Sequence, residues 1–95
     1  MIGKRRAGVQ SGMCRKITVY GAAWCEDTTR TRELLDSLGV PYDYVDIDQD
    51  FAAEQWITRQ NNGKRMTPTV DLGGALLFEP SDEMMLAALR QNGVV

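Results

Sequence analysis

The chain has 95 residues, which suits a single domain and is too short for two. Its composition is 43% hydrophobic and 25% charged, the balance of an ordinary globular protein, and its formal net charge is −2. The absence of histidine excludes a histidine general base or metal ligand, and the acidic balance argues against nucleic-acid binding. No apolar run approaches the ~18 residues of a membrane-spanning helix, so we expect a soluble, cytoplasmic protein with no membrane association.

The two cysteines, Cys14 and Cys25, are too few for the disulfide framework of a small secreted domain and favour a reducing compartment. Residues 1–13 are basic and rich in glycine, contain no acid and show no periodicity. We therefore predict a flexible N-terminal extension over residues 1–13 and one folded domain over residues 14–95.

The first half of the domain predicts a strand, a helix and a second strand. Residues 17–20 are β-branched or aromatic, as in a buried strand, and a helix is expected to begin at Cys25, with Gly39 just beyond its end. Residues 42–47 predict the second strand. The apolar face of the helix is expected to comprise Leu34, Leu35 and Leu38. Two of its arginines are expected to face outward, Arg30 and Arg32.

The second half predicts a helix, a hairpin and a last helix. Asp48 or Asp50 can cap the middle helix. Residues 67–72 and 75–78 predict two strands joined by the turn at 73–74, and Ser81 can cap the last helix. The middle helix carries Phe51, Ala52, Trp56 and Ile57, with Trp56 expected in the core. The apolar face of the last helix is expected to comprise Met85, Leu86 and Leu89. The predicted order is β-α-β-α-β-β-α.

Several motifs in this order resemble those of a known family. Trp24-Cys25 at the first strand–helix junction and Thr67-Pro68 before the third strand resemble the thioredoxin fold, and the size and element order are similar to its glutaredoxin branch. The stretches 42–48, 62–70 and 80–83 resemble the mycoredoxin group of actinobacterial glutaredoxin-like proteins. The resemblance spans roughly residues 16–92 and implies a thioredoxin-like α/β fold, with a four-stranded mixed sheet flanked by three helices.

Cys25 is the candidate nucleophile, because a cysteine at a helix start meets unpaired backbone N–H groups and the helix dipole, which stabilise a thiolate. The family usually has Cys-x-x-Cys, but the second position here is Thr28, whose hydroxyl or backbone N–H can donate to the sulfur. An inert, buried cysteine is the alternative. The acids Glu26 and Asp27 are expected either to raise the thiol pKa relative to relatives with uncharged residues there, or simply to stabilise the helix.

The resemblance also implies a binding groove around Cys25. It implies a cis peptide bond at Pro68, with the backbone of Thr67 available to an extended substrate. Arg65 stands where glutaredoxins hold a glutathione carboxylate, although a solvated loop charge is the alternative. Trp24 either forms a wall of the groove or packs against the hairpin. The γ-glutamyl end of glutathione would meet Ser81 and Asp82.

Two departures from the glutaredoxin pattern leave the thiol open. Glu79-Pro80 replaces a pair of glycines, and Ala22-Ala23 occupies the place where many glutaredoxins have a lysine that contacts glutathione. The co-substrate is therefore expected to be glutathione or mycothiol, a sugar-containing thiol.

The favoured function is a monothiol thiol–disulfide oxidoreductase that reduces mixed disulfides between proteins and a low-molecular-weight thiol through Cys25. We expect a monomer with no metal site and no permanently bound cofactor. Two alternatives remain open: an iron–sulfur cluster carrier that works as a thiol-bridged dimer, and a redox-inactive binding module on the same fold.

Cys14 is not expected to act as a resolving thiol. It lies at the opposite end of the first strand from Cys25, roughly 20 Å away at ~3.3 Å per residue. A disulfide needs Cα atoms within about 7 Å of each other. A disulfide with another molecule, or an N-terminus that folds back, stays open.

Overall fold

The computed structural model describes residues 16–95, so the expectations for Cys14 and residues 1–13 lie outside it. The predicted element order is confirmed. No helix within this range is long and apolar enough to cross a membrane. The elements in chain order are β1 (Thr18–Gly21), α1 (Glu26–Ser37), β2 (Asp43–Asp46), α2 (Phe51–Gln60), β3 (Thr69–Asp71), β4 (Leu76–Phe78) and α3 (Asp82–Gln91).

The four strands form one mixed sheet in the order β2-β1-β3-β4. β1 and β2 run parallel, whereas β3 is antiparallel to both of its neighbours, β1 and β4. The ends of β1, β2 and β4 therefore lie at the same edge of the sheet as the start of β3. We call this the site edge, because it gathers the segments on which the sequence places Cys25, Thr67-Pro68 and Ser81.

Alternation along β1 buries neighbouring side chains on opposite faces of the sheet. Val19 belongs to a fully buried cluster that includes Leu35 of α1 and Met85 of α3, so these two helices cover one face. Tyr20 points to the other face, where its ring lies 5.3 Å from the ring of Trp56 on α2. Trp56 is half-buried in this contact rather than enclosed in the core.

Residues that the sequence predicted at helix ends lie at the starts of α2 and α3 and just after α1. Of the two candidates for α2, Asp50 is the cap, since its side chain accepts the N–H of Ala53 at 3.0 Å. Ser81 caps α3, as expected, by accepting a backbone N–H three residues later. Gly39 has a φ of +70° just after α1, a conformation that favours glycine.

The buried face of α1 differs from the prediction. The structure buries Thr28, Thr31 and Leu35 and leaves Leu38 exposed. The spacing of the leucines therefore predicted a buried face that lies one turn too far towards the C-terminus of α1. The first turns of α1 lie closest to the end of β1, where the space is narrow and a small threonine fits.

One further expectation was wrong. Arg32 does not face outward: its guanidinium lies 3.9 Å from the ring centre of Tyr44, and its Nε donates to the hydroxyl of Tyr42 at 3.2 Å. A cation stacked on an aromatic ring is stabilised by the ring's electron-rich face. Phe51, the first residue of α2, is 69% exposed and contributes little to the core.

Candidate active site

Cys25 occupies the N-cap position of α1 at the site edge. Its backbone is extended, with φ −85° and ψ 120°, and its side chain does not cap the helix. Its own N–H donates to the carbonyl oxygen of Ala22 at 3.0 Å, which fixes the turn between strand and helix. The partly exposed sulfur is therefore oriented by the backbone and is left to interact with other groups.

Thr67 is the partner that approaches the sulfur from the start of β3. Its Oγ1 donates to Cys25 Sγ at 3.4 Å, and its carbonyl oxygen lies 3.8 Å from Sγ. The peptide bond between Thr67 and Pro68 is cis, as the resemblance implied. The antiparallel pairing of β1 and β3 explains this approach, because the start of β3 must lie beside the end of β1.

The pKa of the Cys25 thiol lies below its ordinary value. Partial burial is the largest single influence and raises the pKa. It is outweighed by the hydroxyl of Thr67, the backbone and hydroxyl of Thr28, and the backbone of Asp27, which together stabilise the thiolate. The position therefore favours the charged, nucleophilic form of the sulfur more than an ordinary cysteine side chain does.

Removing the hydroxyl of Thr67 tests whether hydrogen bonds to the thiolate outweigh the effect of burial on the Cys25 pKa. In Thr67→Val we expect the Cys25 pKa to rise, because the thiolate loses a hydrogen bond while its burial is kept. Alkylation by iodoacetamide at pH 7 should then slow about fivefold, the equivalent of ~1 kcal/mol for one hydrogen bond. The pH profile of the alkylation rate, followed by mass spectrometry, measures the shift. Thr58→Val, which removes a hydroxyl from α2, is the matched control, and an unchanged profile in Thr67→Val would contradict the expectation.

Thr28 is almost fully buried, with 1% of its surface exposed. Its Oγ1 accepts the N–H of Ala22 at 3.4 Å, so the hydroxyl joins the end of β1 to the first turn of α1. The contact is possible because Gly21 has no side chain. A Cβ at Gly21 would lie 2.4 Å from Cγ2 of Thr28. Gly21 was not anticipated as a site residue; its only signal in the sequence is a glycine at the end of a buried strand.

Trp24 lies beside Cys25 with 68% of its surface exposed, so packing against the hairpin is not its role. Its indole Nε1 donates to Oδ2 of Asp48 at 2.8 Å. Sequence reasoning considered Asp48 only as a helix cap and missed this contact. A signal existed: Trp24 and Asp48 follow the ends of two strands predicted to be parallel, and such ends meet at one edge of a sheet.

Arg65 is bound by two carboxylates. It forms a hydrogen-bonded ion pair with Asp48, and its Nε lies 3.0 Å from Oε2 of Glu54. It is therefore neither an isolated loop charge nor an unoccupied carboxylate-binding group. The hydrogen bond from Arg65, followed by that from Trp24, holds the pKa of Asp48 below its usual range.

The start of α3 brings Ser81 and Asp82 to the same edge. The Oγ of Ser81 accepts the N–H of Met84, and Asp82 lies 3.6 Å from Arg30 of α1. Arg30 also pairs with Asp27 at 3.1 Å, which supports the helix-stabilising interpretation of Asp27.

Glu79 takes an unusual conformation for a residue with a side chain. Its φ is +48°, in the left-handed region. Its N–H donates to the carbonyl oxygen of Pro68 at 2.8 Å, which connects the entrance of α3 to the start of β3. The departure seen in the sequence thus places an acidic side chain at the site edge.

Comparisons with known proteins show the family of this chain. The family model described as Glutaredoxin matches residues 17–77. The chain belongs to the glutaredoxin family. A protein of Mycobacterium tuberculosis named as a glutaredoxin is 34% identical over 74 residues, which cover 77% of this chain and 88% of that protein. Mycoredoxin 1 of Corynebacterium glutamicum is 42% identical over 55 residues, which cover 57% of this chain and 66% of the mycoredoxin, just under two thirds of its length.

A solved structure shows the fold of this glutaredoxin-family chain. The glutaredoxin grx-1 of Archaeoglobus fulgidus superposes with a TM-score of 0.70 at 21% identity, covering 81% of this chain and 88% of that one. The mixed sheet with three helices is thus a thioredoxin-like fold, as the sequence predicted.

Proposed function

We propose that this chain is a monothiol thiol–disulfide oxidoreductase, which reduces mixed disulfides between proteins and a low-molecular-weight thiol through Cys25. The observation that carries the proposal is the setting of Sγ, partly exposed at the start of α1 and 3.4 Å from the Thr67 hydroxyl, with a lowered pKa. An inert cysteine enclosed in an apolar core would have a raised pKa instead.

The reaction runs in two exchanges. The thiolate of Cys25 attacks the sulfur of the small thiol in the mixed disulfide, so a new disulfide forms with Cys25 and the protein thiolate leaves and takes a proton. A second molecule of the small thiol, as thiolate, then attacks that same sulfur in the adduct. Cys25 is released as thiolate, and the two small thiols leave as their disulfide. One disulfide of the small thiol is thus produced for each protein thiol that is released in reduced form.

The monothiol scheme follows from the residue at the second position of the motif. The Oγ1 of Thr28 accepts the N–H of Ala22, its hydroxyl helps to lower the pKa of the Cys25 thiol, and a hydroxyl cannot resolve a disulfide. Within residues 16–95, Cys25 is the only cysteine. The second exchange is therefore assigned to an external thiol, either glutathione or mycothiol.

The other proposed site residues line the path of the substrate. Thr67 offers its backbone to an extended chain, and Pro68 holds that segment against Cys25. The exposed indole of Trp24 forms one wall of the groove. Opposite it, Ser81 and Asp82 mark the start of α3 as the place for the far end of the small thiol. Arg65 lies beside the groove, where Asp48 and Glu54 hold its guanidinium in place.

Intact-mass measurement of the reduced protein after mixing with glutathione disulfide, and separately with mycothiol disulfide, tests the proposal. We expect one adduct per chain in the wild type and in Cys14→Ser, and none in Cys25→Ser. Addition of the matching free thiol should then restore the mass of the reduced protein. The thiol that gives the faster cycle is the co-substrate.

The same experiment separates the alternatives. No adduct with either disulfide at neutral pH would reject the oxidoreductase and leave the redox-inactive binding module. An adduct that survives in Cys25→Ser would place the chemistry on Cys14. A brown protein whose absorbance is lost on chelation would indicate the cluster carrier, an arrangement disfavoured by the acids Glu26 and Asp27 beside Cys25, because a thiolate-bound cluster is itself anionic.

A further inference from the structure

Asp48 joins two segments that flank Cys25. It lies in the turn after β2 at the site edge, where its own N–H donates to Oδ1 of Asp46 at 2.9 Å. Its two carboxylate oxygens have different partners: Oδ2 accepts from Nε1 of Trp24 at 2.8 Å, and Oδ1 accepts from Nη2 of Arg65. One side chain therefore orients the residue before the cysteine and the residue before the Met66-Thr67-Pro68 segment.

The position of Trp24 depends on this contact. With 68% of its surface exposed, the indole has few packing neighbours to restrict its rotamer. A hydrogen bond from its one polar atom to a fixed carboxylate reduces that freedom. Asp48 itself is held by the ion pair with Arg65 and by its turn, so the indole is fixed to a rigid support.

The charge of Arg65 is already compensated. Asp48 and Glu54 occupy Nη2 and Nε of its guanidinium, so a carboxylate arriving with a substrate would compete with one of them. The same pattern recurs on the other side of the cysteine, where Arg30 lies between Asp27 and Asp82 at 3.1 and 3.6 Å. Each arginine thus meets two acids before any substrate arrives.

We propose that Asp48 is a positioning and specificity-determining residue, which holds Trp24 in place and, with Glu54, adapts the groove to disulfides of small thiols that lack carboxylates. The inference rests on the proposed function, because it concerns which thiol Cys25 accepts. A carboxylate-bearing thiol such as glutathione meets repulsion from paired acids, whereas a hydroxyl-rich thiol can donate hydrogen bonds to the same oxygens.

Rates of adduct formation with two probes test the inference. The uncharged probe is bis(2-hydroxyethyl) disulfide and the anionic probe is glutathione disulfide, each in excess, with the adduct on Cys25 followed by quench and intact mass. The ratio of the anionic to the uncharged rate is the measured quantity. Differences in leaving-group chemistry cancel when this ratio is compared between a variant and the wild type.

Removing the charge should shift the ratio towards glutathione disulfide. Asp48→Asn keeps an oxygen that can accept from Trp24, and at low ionic strength we expect the ratio to rise about fivefold, and less in high salt. Glu54→Gln should act in the same direction. Asp43→Asn is the matched control, since Asp43 pairs with Lys16 at the opposite end of β2 and its loss changes the net charge equally.

Removing the support of Trp24 should have a separate effect. Asp48→Ala loses the acceptor as well as the charge, so the rate with the uncharged disulfide is expected to be about threefold lower in Asp48→Ala than in Asp48→Asn. The indole N–H resonance of Trp24 should move in Asp48→Ala.

The outcomes are distinguishable. An unchanged rate ratio in Asp48→Asn, or an equal change in Asp43→Asn, would reject the specificity role. Equal uncharged-probe rates in Asp48→Ala and Asp48→Asn would reject the positioning role. Failure of the wild type to form an adduct with either probe would instead reject the proposed function, and this inference with it.

Discussion

Replacing Gly21 by alanine is expected to lower the free energy of unfolding by about 2–3 kcal/mol, although only one methyl group is added. The new Cβ would lie 2.4 Å from Cγ2 and 2.6 Å from Oγ1 of Thr28. Thr28 is enclosed, so it cannot turn away without breaking its contact with the Ala22 N–H. Denaturant unfolding of both proteins under reducing conditions, at constant m-value, measures the loss.

A second substitution identifies the cause. Thr28→Ala removes the two closest atoms, so the double variant Gly21→Ala/Thr28→Ala should recover about half or more of the loss caused by Gly21→Ala alone. Gly21→Ala/Thr31→Ala is the matched control, because Thr31 is also buried on α1 but none of its atoms is among those nearest to a Cβ at Gly21. Additive losses in Gly21→Ala/Thr28→Ala would show that the clash is not the reason for the glycine.

Thr28→Cys is expected to change the chemistry from a monothiol to a dithiol cycle. The hydroxyl of Thr28 is among the groups that lower the pKa of the Cys25 thiol, so we expect a thiol at this position to lie close enough to attack an adduct on Cys25. An intramolecular attack replaces a bimolecular one, and the adduct should disappear at least about 100-fold faster than in the wild type. Intact mass after a small disulfide is added should then show the loss of two hydrogens rather than an adduct.

Thr29→Cys provides the matched control for this change. The hydroxyl of Thr29 donates to the carbonyl oxygen of Cys25 at 3.3 Å, and this exposed side chain is not among the groups that stabilise the thiolate. Its thiol should leave the adduct on Cys25 intact. If Thr28→Cys kept a stable adduct on Cys25, the arrangement of the two side chains would differ from the one described.

Much of the fold follows from local signals. Asp50 and Ser81 cap their helices through contacts with residues three positions away, and Gly73-Gly74 turns the hairpin with positive φ angles that glycine allows. Such features depend on a few neighbouring residues, and the element order follows from them. The motif resemblance added the cis bond at Pro68 and the placement of Cys25 at a helix start.

The errors arose where the environment of a residue depends on what packs against it. Apolar spacing selected Leu38 for the buried face of α1, but the structure buries Thr28 and Thr31. The small size of Thr28 suits the narrow space beside Gly21, and hydropathy alone gives no measure of that space. Phe51 shows the same dependence on position, because it is apolar but lies at the first turn of α2, which leaves it exposed.

The sequence by itself determined the element order, the cap of α3 and the identity of the thiol at the start of α1. Only the tertiary structure decided that Asp48 meets both Trp24 and Arg65, and that Gly21 leaves room for Thr28. The first group depends on backbone preferences within a few residues. The second depends on strand register and helix placement, which bring together side chains separated by as many as 24 positions to within hydrogen-bonding distance.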